Sequence, residues 1–172
     1  MSRENIQKMV LAAMFLAAGL ILPQLIGHVQ VLGTALLPMH LPVLLAGVIL
    51  GPRYGGLVGL LLPFLRHIIA GMPPLFIANS MMFELAIYGV VIGVLYAKLP
   101  KNLLGLFISL LAAMVAGRVV YAVVFSLLVG MPDEPISYFA TALVVSSWVG
   151  IALQLVLVPT ITLALRRARL IE

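Results

Sequence analysis

From Met9 to Pro52 the chain runs without a single Lys, Arg, Asp or Glu, and further uncharged runs fill 54–65, 67–83, 85–97, 102–117, 119–132 and 135–165. No soluble interior is large enough to bury such runs one after another. Hydrophobic residues make up 64% of the 172 and charged residues 9%, against roughly 25% charged in an ordinary soluble domain. The solvent is therefore a bilayer. A hydrocarbon core of ~30 Å takes ~20 helical residues per crossing, so the length allows about six crossings and leaves no room for a second domain. The expectation is an all-α membrane protein forming one integral membrane domain over 1–172. The chain has no Cys, which excludes disulfides, thiol catalysis and cysteine-ligated metals.

Prolines and polar turns divide the runs. Residues 1–8 are polar but too short for a secretory leader with its cleavage site, so they are expected to stay attached. A first helix is expected over about 5–22, ended by Pro23, and a short second helix over about 40–50, too short to span. Non-helical backbone at membrane depth survives only where protein or a cavity surrounds it, so 23–39 is expected to fold inward as a wall of a binding site. Gly51-Pro52-Arg53-Tyr54-Gly55 and Gly71-Met72-Pro73-Pro74 carry turn residues and bracket a third helix over about 55–70. A fourth is expected over 75–97, a fifth over 103–129 and a sixth over 137–165, with 130–135 the most polar loop. The result is a six-helix transmembrane bundle with a short second helix and inward-folded extracellular loops.

Loops of such a bundle alternate sides. One side collects Arg3, Lys8, Arg53, Lys98, Lys101, Arg166, Arg167 and Arg169, and the other collects no basic residue. That asymmetry predicts cytoplasmic termini in the cell membrane, with Asp133 and Glu134 outside. Tyr138 and Phe139 at one end, and Tyr54 and Tyr96 at the other, fit interfacial belts. The net charge of +5 is an orientation signal and gives no reason to invoke nucleic acid. Four pairs of small residues stand four apart: Ala13/Ala17, Gly55/Gly59, Gly89/Gly93 and Ala113/Gly117. Close helix packing within the bundle accounts for such pairs, as does a contact with another membrane protein.

Three charges remain inside the uncharged runs: Arg66, Glu84 and Arg118. Each costs ~2.5–3.5 kcal/mol at a helix centre and therefore needs a partner or a wet cavity. Helical rise puts Glu84 roughly 13 Å and Arg118 about 16 Å below the outer end, with Arg66 at about 6–8 Å. Trp148, the single tryptophan, is expected at a depth similar to Arg118. Ser80, Glu84 and Tyr88 share one helical stripe, as do Met114, Arg118, Tyr121 and Phe125, and Thr141, Val145 and Trp148. These residues could line one cavity open to the outside, with Arg66 as a spare positive charge favouring a singly charged anion. The alternative is a structural Glu84–Arg118 ion pair with Arg66 reaching to the headgroups. His40, between two prolines, is a candidate site residue. His67 is a weaker one, and His28 reads as exposed loop. Asn79 could bond a ligand or cap the fourth helix.

Several chemistries are missing from the sequence. It has no phosphate loop for ATP, no His-Glu-x-x-His, no Gly-x-Ser-x-Gly elbow, and Ser146-Ser147 has no His nearby. Neither a cofactor nor a metal is expected, and an enzyme is not. Two readings of other classes stay open: an intramembrane lipid-modifying enzyme using Glu84 and His67, and a stand-alone proton-coupled carrier with Glu84 as relay.

Leu37-Pro38-Met39-His40-Leu41-Pro42-Val43, Gly51-Pro52-Arg53-Tyr54-Gly55, Gly71-Met72-Pro73-Pro74 and Phe83-Glu84-Leu85-Ala86-Ile87-Tyr88-Gly89 resemble segments of a known family. It comprises the substrate-specific S components of energy-coupling factor (ECF) vitamin transporters, and the likeness covers nearly the whole chain. It implies six helices and a pocket near the outside, walled by the loops after the first and third helices and by helices four to six. The implied partners are a transmembrane coupling subunit and two cytoplasmic ATPases, with the S component rotating in the bilayer to carry an occluded vitamin inward. Ala13-Met14-Phe15-Leu16-Ala17 matches the family's docking pair for the coupling subunit. The Met-Pro-Pro and Phe-Glu-Leu-Ala segments are most similar to the pantothenate-type branch. Riboflavin, folate, thiamin-related and cobalamin substrates remain open. The substrate-binding residues expected are Arg66, Asn79, Glu84, Tyr88, Arg118, Tyr121, Trp148 and His40.

Overall fold

The computed structural model describes residues 3–25, 36–131, 133, 135–141 and 147–168. Among these residues all regular structure is helical: α1 (Arg3–Leu25), α2 (His40–Leu50), α3 (Pro52–Ala70), α4 (Leu75–Lys98), α5 (Leu103–Val129), α6 (Pro135–Ala140) and α7 (Trp148–Arg167). Four of them, α1, α4, α5 and α7, are long and apolar enough to cross a membrane. The expected count of six crossings goes beyond what these helices establish.

Local chemistry sets the boundaries. Gly51 at φ 87° turns the chain from α2 into α3, and Pro52 occupies the first turn of α3, where its missing N–H costs no helical bond. Gly71 at φ 67° closes α3 by returning its N–H to the His67 carbonyl. Asn102 caps α5 by accepting the Gly105 N–H at 2.8 Å. Two expectations need correction. Helix α1 continues through Pro23 to Leu25, because a proline near a helix end removes a single bond and neighbouring helices can support the turn. The single helix expected over 137–165 is instead α6 and α7, with Ser147 at φ −118° and ψ 9° just outside the start of α7. Its residue type favours caps over helix interiors, a signal that the unbroken hydrophobicity around it conceals.

The short α2 is the plug of the bundle. Val43, Leu44 and Ala46 are fully buried, and α2 packs on α1, α3, α4 and α7. Glycines let the backbones meet. A β-carbon on Gly55 would stand 2.5 Å from Gly47 Cα, and one on Gly89 would stand 2.2 Å from the Gly55 carbonyl. Approach this close replaces the hydrophobic drive that lipid does not supply between helices. Outward faces are apolar instead: Met14 and Ile21 on α1, Val115 and Val119 on α5, and Val156 on α7 are all exposed. A soluble protein would seldom show so much apolar surface, whereas a bundle bathed in lipid does.

Candidate functional site

Glu84 is the centre of the polar interior. It sits near mid-length of α4, is 1% exposed, and its Oε1 accepts a bond from Arg118 Nη1 of α5 at 3.0 Å. Tyr88, one turn on, donates its hydroxyl to the same oxygen at 3.2 Å. His40 Nε2 lies 3.7 Å from it. Three elements thus converge on one carboxylate oxygen, and the pairing answers the cost of burying charge in a membrane.

Each partner is held by its surroundings. Leu37 takes φ 49°, a left-handed conformation that costs a non-glycine residue roughly 1–2 kcal/mol, and its carbonyl accepts the His40 N–H at 3.0 Å. That turn starts α2 and sets the His40 ring edge-on to Tyr88 with centroids 5.3 Å apart. Gly117 makes room for Tyr88, since a β-carbon there would stand 2.0 Å from Tyr88 Cε1. The residue after that glycine is Arg118, so one groove on α5 seats the tyrosine and supplies the cation.

The guanidinium is only partly used. Arg118 Nε and Nη2 are buried and have no hydrogen-bond partner among the described residues, and the same holds for both ring nitrogens of His40. Nε and Nη2 form one edge of the planar group, the edge that meets a carboxylate with two parallel bonds. Glu84 is bound through Nη1, so that fork has no partner among the described residues.

A family model described as "ECF transporter, substrate-specific component" matches residues 7–162. The chain belongs to that family. Neither the curated proteins nor the solved structures contain a match. The S component is a subunit of a transporter and not an enzyme, multi-pass in the membrane, and serves uptake of a vitamin-type substrate with ECF module partners.

Of the residues expected at the S component's site, Glu84, Arg118, Tyr88 and His40 come together. Tyr121 stands one turn from Arg118 and stacks on Phe125 at 5.9 Å. Phe76 and Phe139 meet the same Phe125 edge-on at 6.5 and 6.2 Å, which makes an aromatic cluster of α4, α5 and α6. The part played by Phe76 was not read from the sequence; its position two turns before Glu84 on α4 is the signal that could have found it. Asn79 is half-buried in the second turn of α4. It does not cap that helix, because the cap position is Pro74.

Other expected residues have contacts or surroundings of their own. Arg66 is half-buried and its Nη1 donates to the Leu20 carbonyl of α1 at 3.4 Å, so it ties α3 to α1. Trp148 opens α7 and is 64% exposed, in place of the expected mid-helix depth. His67 Nδ1 donates to the Pro73 carbonyl at 2.8 Å, since a carbonyl can only accept, and so fastens the α3–α4 turn. His28, Glu134, Val145, Arg169 and the Tyr138 side chain lie outside the described residues, as does 26–35 of the expected inward loop.

The small-residue pairs divide in two. Gly55, Gly59, Gly89, Gly93, Ala113 and Gly117 are buried within the bundle, whereas Ala13 and Ala17 are exposed on α1.

Proposed function

We propose that this S component captures a small anionic vitamin of the pantothenate type from outside the cell and, with the ECF module, delivers it inward. The observation that carries this reading is the buried Nε/Nη2 edge of Arg118, held in place by Glu84 and unpartnered among the described residues. A carboxylate is the group that such an edge fits best. Arg66, which has no acidic group within ion-pairing distance among the described residues, supplies the positive charge that the neutral Glu84–Arg118 pair lacks. Tyr88, Tyr121, His40 and Asn79 would line the solute, and Trp148 would close over it from the start of α7. The basic residues at one end of the bundle set that end in the cytoplasm, with both termini. Ala13 and Ala17, small and exposed on α1, are the contact for the transmembrane coupling subunit, which two cytoplasmic ATPases drive.

Equilibrium dialysis of the purified chain against labelled B vitamins tests the reading. Saturable pantothenate binding, undisturbed by excess riboflavin, folate, thiamin or cobalamin, is the expected result. Competition by one of those instead would reassign the substrate, and no saturable binding of any would overturn the reading. Proteoliposomes containing the chain alone should take up no solute under a pH gradient; uptake there would mean a self-sufficient carrier with Glu84 as relay.

A further inference from the structure

Gln154 of α7 is fully buried, and neither its Oε1 nor its Nε2 has a hydrogen-bond partner among the described residues. Leaving a buried donor or acceptor unmade costs about 1–3 kcal/mol, and inside a bilayer there is no bulk water to repair it. Two buried serines avoid this cost within their own helices. Ser80 bonds back to the Phe76 carbonyl and Ser109 to the Gly105 carbonyl. An apolar side chain of similar size would fill the Gln154 position without any such cost.

The surroundings say what the carboxamide is near. Val158, one turn along α7, belongs to the core cluster with Val43, Leu44, Tyr88 and Met114, and Ile151 and Leu155 pack against it. Val43 is one turn from His40, and Met114 is one turn from Arg118. Helix α7 packs on both α2 and α5. Three other side chains have buried polar atoms without a partner among the described residues: Thr162, two turns along α7 from Gln154, and His40 and Arg118, whose interior Gln154 enters through these neighbours.

We propose that Gln154 is a specificity-determining residue of the solute site, its carboxamide pairing with a solute group that both donates and accepts a hydrogen bond, an amide above all. Arg118 holds the carboxylate of the same solute. This assignment rests on the solute-capture reading and adds to it a demand for an amide. A site built to bond a polar group discriminates strongly against an analogue lacking it, because its own buried atoms are then stranded.

The test compares wild type with Q154M, which is nearly isosteric, and with Q154L as a second variant. The probes are labelled pantothenate and its analogue with an ester oxygen in place of the amide N–H. Both variants should bind pantothenate about 10- to 100-fold more weakly, the loss of one or two hydrogen bonds. For the ester, which keeps the carbonyl that accepts from Nε2 but has no N–H for Oε1, the variants should lose less, about three- to tenfold. Without solute, at least one variant should melt no lower than wild type, because a stranded polar group has been removed. Unchanged pantothenate affinity, equal losses for both probes, or a lowered melting temperature in both variants would make Gln154 part of the scaffold and overturn the proposal. Each of those results leaves wild-type binding intact and the broader reading standing. A wild-type chain that binds no B vitamin overturns both.

Discussion

Replacing Glu84 by Gln removes one charge and almost nothing else. The side chain keeps its length, and its amide oxygen still accepts the Tyr88 hydroxyl that now bonds Oε1 at 3.2 Å. What disappears is the attraction to Arg118, whose Nη1 is 3.0 Å away and whose side chain is 15% exposed. At an effective dielectric near 20, opposite charges at that separation attract by roughly 5 kcal/mol before desolvation is counted. Breaking a buried pair from one side is known to cost about 3–5 kcal/mol, because the surviving charge stays buried without compensation. E84Q should fall in that range, and R118M, which strands the more buried carboxylate, should cost at least as much.

The double variant E84Q/R118M strands no charge. It should be more stable than either single variant, which requires a coupling larger than the costlier single loss, about 3–5 kcal/mol or more from the cycle. Reversible unfolding in mixed detergent micelles, followed by helix signal, measures all four corners. Single-variant losses that add to within ~0.5 kcal/mol in the double variant would show that the two groups do not feel each other. The account of Glu84 as the centre of the polar interior would then fail.

Three further outcomes are expected. Arg66→Ala should weaken binding of an anionic vitamin about tenfold more than binding of its neutral alcohol analogue, as loss of a charge-assisted bond implies; equal losses in dialysis would leave Arg66 as the α3–α1 tie alone. Leu at both Ala13 and Ala17 should spare solute binding yet abolish copurification with the coupling subunit, and intact assembly would remove the docking role from that face. Gly89→Ala should destabilise the bundle by ~1–3 kcal/mol, because the new methyl meets the Gly55 backbone at 2.2 Å and nothing flexible can yield. Gly71→Ala, which meets no atom within 4 Å, should cost only the ~1 kcal/mol of its positive φ, and unfolding midpoints that reverse this order would refute the backbone contact.

Much of the fold was legible because charges, glycines and prolines act locally. The end of α2 follows from Gly51 and the start and end of α5 from Asn102 and Gly130, residues that set backbone geometry locally. The division of 137–165 was not legible. Thr141 to Ser147 carries no proline, glycine or charge, and Ser147 leaves helical geometry just before Trp148 without a side-chain capping bond. Side-chain direction was the other missing quantity. Arg66 lies in the right helix for a shared cavity, but a long cation can reach any carbonyl within its arc, and it takes that of Leu20. Trp148 was expected in mid-helix for the first of these reasons, whereas the helix that carries it begins with it.

The polar interior shows the same division between what residue type reveals and what only partners reveal. A charge in an apolar run announces itself, since its burial cost demands a counter-charge, and Glu84 and Arg118 were the two deepest candidates. Which groups would share Glu84 depended on geometry: helical spacing brings Tyr88 to it, Gly117 clears the groove, and the strained turn at Leu37 turns His40 inward. Gln154 made no such announcement. A neutral amide is cheap enough to pass as helix filler in a hydrophobic run, and only the accounting of its two unpaired atoms sets it with Thr162, Arg118 and His40. A bundle optimised for stability alone would have no reason to keep a glutamine there, so that residue is the strongest sign that the interior is built around something other than itself.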